Sequence, residues 1–177
     1  MVPRLRKAAL TAHVMCSVGW LGSVAVFLAL AITGLTSRDG ELAGAVYIAM
    51  EVTTWSVIVP LSFATLLTGV VQSLGTPWGL LRHYWVVVKL ALTVAATVLL
   101  LVHTQPISYA ADLAAGTGVT GAELHGLKVQ LVADAAAALL VLLTTTALSV
   151  FKPQGRTRYG WRKQREQDRS PAATSAA

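Results

Sequence analysis

Residues 82–103 read RHYWVVVKLALTVAATVLLLVH. A bilayer core is ~30 Å thick and a helix rises ~1.5 Å per residue, so a span needs roughly 20 apolar residues, and this segment supplies them. Yet Lys89 lies about one turn past the aromatic pair Tyr84–Trp85, and His103 closes the far end. The stretch therefore decides two matters at once. It makes the chain a membrane protein, and it places ionisable groups where they are costly.

The remainder of the chain agrees with a membrane setting. Of its 177 residues, 55% are hydrophobic and only 12% charged, and the mean hydropathy is +0.64. That is too apolar for an ordinary soluble domain. Apolar residues fall in four long blocks, about residues 9–34, 43–69, 84–104 and 127–151, each long enough to span. All four should be helices, because a helix satisfies its own backbone in lipid and no ten-residue alternation points to a barrel. The first block follows the basic opening MVPRLRK but outruns the roughly 7 to 15 apolar residues of a signal peptide, so it reads as a retained span. Cys16 is the single cysteine and forms no internal disulfide.

The Lys and Arg bias of the connections sets the expected orientation. Arg4, Arg6 and Lys7 precede the first span, Arg82 ends the second connection, and seven basic residues from Lys152 to Arg169 follow the fourth. The first connection holds only Arg38. Both termini are thus expected in the cytoplasm, in a multi-pass protein of the cell membrane. Residues 1–8 read as a basic N-terminus, 9–151 as an all-α four-helix bundle, and 152–177 as a basic, disordered tail. The formal net charge of +6 arises mostly in that tail. Its expected partner is the anionic lipid headgroup rather than nucleic acid, since no recognition module accompanies the charge.

The connections carry little chemistry. TSRDGELAG reads as a short outer turn with Asp39 and Gly40 at its tip. QSLGTPWGLLRHYW places Trp78, Tyr84 and Trp85 at the cytoplasmic interface, with a turn opened by Pro77. The longer outer loop contains Asp112, Glu123 and His125 and is expected to form a brief helix around residues 109–115. The sequence contains no Walker loop, GxSxG, CxxC or HExxH, so no soluble-enzyme chemistry is assigned.

What functional signal exists lies in the ionisable residues within the spans. His13 and Lys89 fall in the cytoplasmic half; Glu51, His103 and Asp134 fall in the outer half, with His125 and Lys128 at its border. Helical phase gives each span a polar face. His13, Cys16, Ser17, Trp20 and Ser23 share one on the first span. Glu51, Thr54, Trp55, Ile58, Ser62, Thr65 and Gly69 share one on the second, which Pro60 is placed to kink. Arg82, Trp85, Lys89, Thr93, Ala96 and His103 make a stripe on the third, and Gln130, Asp134, Ala138, Val141 and Thr145 one on the fourth. Packing all four inward yields two polar layers. Lys89 either snorkels to the headgroups or faces the bundle. Glu51 and Asp134 read as an acidic pair, with Lys128 as a partner for one of them.

Histidines on facing helices also raise haem as a cofactor. His13 and His103 lie at different depths, whereas His103 and His125 match better. His103, His125, Glu51 and Asp134 offer nitrogen and oxygen donors without a diagnostic spacing, and no metal is assigned.

The strings HVMCSVGWLGSVAVFLALA and GTPWGLLRHYWVVVKLALT resemble a family of four-helix predicted integral membrane proteins of actinobacteria. That likeness covers the chain to about Phe151 and implies the architecture without an activity. More distantly, His13 before a Trp-x-Gly, with Trp85 and Lys89 as W-x-x-x-K, is similar to copper-resistance membrane proteins and to the membrane-embedded protoporphyrinogen oxidase. The latter resemblance implies that His13 and Lys89 matter for activity; its Tyr-Leu-Pro-Arg stretch is VAVFLALA here.

Three functions follow as expectations. The first is a small transport, permease-like or accessory membrane component using His13, Glu51, Lys89, His103 and Asp134. Four helices are few for that task, so a homo-oligomer or a membrane partner is expected with it. The second is a haem- or porphyrin-linked redox protein using His13, Lys89, His103 and His125. The third is a structural subunit whose polar faces are packing glue.

Overall fold

The structure, a computed structural model, describes residues 3–75, 83–116 and 121–151, together with Gly155, Thr157, Trp161, Arg162 and Arg165; for 112–116 and 121–124 it describes the backbone alone. Helix α1 runs Pro3–Thr36, α2 Gly40–Thr53, α3 Val59–Leu74, α4 Tyr84–Gly116 and α5 Gly121–Phe151. A π-helical turn, Thr54–Ile58, joins α2 to α3, so that Gly40–Leu74 forms one span. Four helices are long and apolar enough to cross a membrane, and no strand occurs among the described residues. The expected all-α bundle is what forms.

The π turn has a chemical cause. Pro60 carries no N–H and its ring crowds the carbonyl four residues earlier, so the regular ladder cannot pass through it. The ladder widens, and the Val59 N–H bonds Thr54 O five residues back. Across this break the inward stripe is Val46, Met50, Thr54, Ile58, Ser62 and Thr65, all buried. Phase reading placed Trp55 on that face, but Trp55 is 51% exposed and points outward. Glu51 is half-buried at the edge.

Antiparallel neighbours enclose the core in the cyclic order α1, α2–α3, α4, α5. Trp20, Val24, Phe27 and Ala31 recur on α1 at steps of three and four and pack with Met50, Ile58, Leu131, Ala135 and Leu142. The outer surface is also apolar: Val18, Leu67, Val102 and Leu140 are each more than half exposed along the spans. In water such a surface would be an aggregation liability; in hydrocarbon it has its matching solvent. The start of α1 at Pro3 and the end of α5 at Phe151 lie at one end of this antiparallel bundle, here the terminal end, opposite the far end where α1 turns into α2.

Connections differ from expectation in detail. Asp39 is the N-cap of α2 rather than half of a turn pair, accepting from Glu41 N at 3.0 Å and Leu42 N at 3.4 Å. The brief helix expected around 109–115 is a continuation of α4, which reaches Gly116 despite Pro106. Ile107 and Ala110 belong to the same core cluster as Ala43, Val46 and Tyr47, so packing on α2 outweighs the lost hydrogen bond. The tail after Phe151 and the turn at Pro77 and Trp78 lie largely outside the described residues.

Candidate functional site

Near the terminal end, polar side chains meet in two pairs. His13 Nδ1 lies 3.1 Å from Thr68 Oγ1, which joins α1 to α3. Thr68 gives its own proton to Ala64 O at 2.6 Å, so its oxygen accepts from an Nδ1–H. The ring fits because Gly69 has no side chain: a Cβ there would stand 3.1 Å from His13 Cε1. On the other side of the bundle Lys89 Nζ donates to Ser149 Oγ at 2.6 Å, and Ser149 donates to Thr145 O at 2.8 Å. Ser149 stands level with Lys89 in the antiparallel pairing of α4 with α5. The amine therefore reaches sideways to a neighbouring helix and does not snorkel along its own.

The second layer lies ~21 Å further along α4, at ~1.5 Å per residue from Lys89 to His103. Here His103 Nε2 stands 3.1 Å from Asp134 Oδ2, linking α4 to α5. His103 Nδ1 is 2.8 Å from Leu99 O. A carbonyl only accepts, so Nδ1 carries a hydrogen. The hydrogen on Nδ1 leaves Nε2 as the ring nitrogen that faces the acid. The contact has the length of an ion pair, but its direction is too oblique for a full hydrogen bond, and Oδ2 is buried with no other partner. That oxygen retains hydrogen-bonding capacity.

The pair borders an apolar cavity of about 300 Å³ between α1, α4, α5 and the π turn. Trp20, Val24 and Phe27 form its buried floor, with Thr54 and Ile58 beside them. Its volume comes from small side chains on the two facing helices, among them Ala95 and Ala96 on α4 and Ala137 and Ala138 on α5. Thr54 donates to Met50 O and leaves the wall apolar. Side chains of His103 and Asp134 are 21% and 33% exposed, so they meet the cavity rather than being sealed behind it.

The other candidates stand apart. No described residue pairs with the Glu51 carboxylate, so the acidic pair of Glu51 with Asp134 does not form. Lys128 serves neither acid: its Nζ lies 5.6 Å from the centre of the Tyr47 ring, a cation–π distance. Tyr47 in turn fills the space left by Gly34, where a Cβ would stand 2.8 Å from Tyr47 Cζ and Oη. His125 is exposed at the start of α5 and Gln130 is exposed one turn on. No group of three His, Cys, Asp or Glu side chains converges among the described residues. Arg82 lies outside them. Sequence reading missed Thr68, Ser149 and the carbonyl of Leu99, which fix the three ionisable side chains. The signal was the antiparallel register of neighbouring spans, which hydropathy alone does not set.

Comparison of the chain with family models, curated proteins and solved structures gives no match.

Proposed function

We propose that the chain is a small multi-pass transport or accessory component of the cell membrane, and that its working part is the His103–Asp134 pair. The pair takes up and releases one proton beside an intramembrane cavity. By the charge bias of the connections both termini are cytoplasmic, which puts the pair in the outer half of the bilayer and His13 and Lys89 in the inner half. The basic tail then meets anionic headgroups of the inner leaflet.

One observation carries this reading. Leu99 O obliges His103 Nδ1 to hold a hydrogen, and Nε2 stands 3.1 Å from a carboxylate oxygen, so a base and an acid are side by side within the span. An acid and a base that share a proton within a span are the ordinary parts of a proton relay. The haem reading has less support, because His13 and His103 lie in layers ~21 Å apart and cannot share one haem plane, and His125 is exposed.

The test is Asp134→Asn in liposomes carrying an entrapped pH dye. An asparagine amide can donate to Nε2 and preserve the fold, but it cannot exchange a proton at neutral pH. Wild-type vesicles should acidify under an imposed gradient, and Asp134→Asn vesicles should acidify no faster than protein-free ones, at unchanged reconstitution. Equal rates for wild type and variant would make the pair a packing contact and sink the proposal.

A further inference from the structure

Three features of the cavity limit what fits it. Its rim is formed by Ala95 and the exposed Leu99 on α4 and by Ala137 on α5, all well inside the spans. The mouth therefore opens sideways onto hydrocarbon, and an occupant arrives dissolved in the membrane. Its floor holds the aromatic rings of Trp20 and Phe27, and its walls are largely alanine and leucine, a surface suited to a flat ring. At one end stands the one acid–base contact among the described residues, His103 with Asp134, and both side chains are partly exposed where they line the cavity. A charged head would bring an uncompensated charge into this space at high cost. A neutral hydroxyl brings no charge and can donate to the carboxylate.

We propose that the cavity binds an uncharged, ring-bearing, membrane-dissolved molecule of the phenol class, with its hydroxyl donating to the Asp134 carboxylate where that side chain lines the cavity and its ring on Trp20 and Phe27. The proposal shares its site with the proton-exchange reading and rests on it for the carboxylate form of Asp134, in which the proton is on His103. Hydroxyl recognition by a carboxylate in an apolar cavity is selective, because an analogue without the donor covers the acceptor and leaves it unpaired.

The experiment uses 4-bromophenol, whose bromine quenches tryptophan on contact, and 4-bromoanisole, the same ring with the donor methylated. Each is titrated into the full-length protein in lipid nanodiscs, with Trp20→Phe defining the part of the signal that belongs to Trp20. Bromophenol should quench that part saturably, and bromoanisole should need a roughly tenfold higher concentration. Ala138→Leu, which fills the cavity, should abolish the saturable phase while far-ultraviolet circular dichroism and elution volume stay unchanged; Ala96→Leu repeats the test from α4. Equal affinities for the two compounds would overturn the hydroxyl contact. Linear, unsaturable quenching, alike in wild type and both leucine variants, would overturn the site altogether. Proton flux measured on the same preparations separates the two readings: flux without saturable quenching defeats the ligand alone, and saturable quenching without flux defeats the relay alone.

Discussion

The two polar layers of the bundle use similar residues for different ends. At the terminal end His13 and Lys89 each meet a hydroxyl on an adjacent helix, and each hydroxyl passes its own proton to a carbonyl, so both contacts are closed. At the far end His103 meets an acid, and the contact is left open: a carboxylate oxygen lacks a full partner and an apolar space lies beside it. A base on a hydroxyl ties helices together. A base on an acid, with room next to it, is equipped to move a proton. The ionisable residue alone does not make a membrane site; its partner and the adjoining volume do.

The glycines that admit the large rings give the strongest test of this contrast. Gly34 and Gly69 do the same task at opposite ends, under Tyr47 and His13. At Gly34 the ring atoms that a Cβ would meet are 2.8 Å away and Tyr47 is only 4% exposed, so neither side can yield. Gly34→Ala should cost about 1 to 3 kcal/mol, the usual range for overpacking. Reversible unfolding by dodecyl sulfate in mixed micelles reads the loss. An unchanged midpoint would show that the far end is looser than its packing indicates.

The architecture was legible in the sequence because it follows from hydropathy and length. Four apolar blocks and a basic opening and ending are enough for a four-helix membrane bundle. The faces were legible only where a regular 3.6-residue period holds. On α1 it does, and Cys16, Ser17 and Trp20 lie on the inward side with His13. The second span breaks that period at the π turn, which is why Trp55 was misplaced. Pro60 marked the break, but a proline does not announce whether it will kink a helix or widen one turn. On α5 Leu131, Ala135 and Leu142 are buried one position on from the Gln130, Asp134 and Val141 of the face drawn from phase, while Thr145 of that face is buried as drawn. The pairing of His103 with Asp134 was the least legible part. It depends on how α4 and α5 slide past one another, and that register is set by side-chain packing over the whole contact.

Lys89 allows the closed layer to be measured directly. A double-mutant cycle of Lys89→Met and Ser149→Ala isolates their hydrogen bond from the lost lysine stem. The coupling should be about 0.6 kcal/mol, the average for polar contacts between helices in lipid, and each single variant should retain the proton flux of the parent. A zero coupling would mean that the amine prefers the headgroups after all. A lost flux would make the terminal layer part of the relay and erase the distinction between the layers.

Gly69→Ala should have the smallest effect, and its size bears on how the terminal layer is held. The new Cβ meets His13 Cε1 at 3.1 Å, a contact that a few tenths of an ångström relieve. His13 is half-buried, on a ring with two torsions, and it bonds a hydroxyl that has its own local anchor. Rotation of the ring can therefore absorb the methyl, and the added helix propensity of alanine over glycine acts in the opposite direction, by up to about 1 kcal/mol. The net change in unfolding free energy should stay within about 0.5 kcal/mol, against the much larger loss at Gly34. Nitrogen chemical shifts of His13 should move while those of His103 stay fixed. A loss as large as that at Gly34 would show His13 to be clamped as rigidly as Tyr47, and a shift at His103 would show that the two layers are coupled across the span.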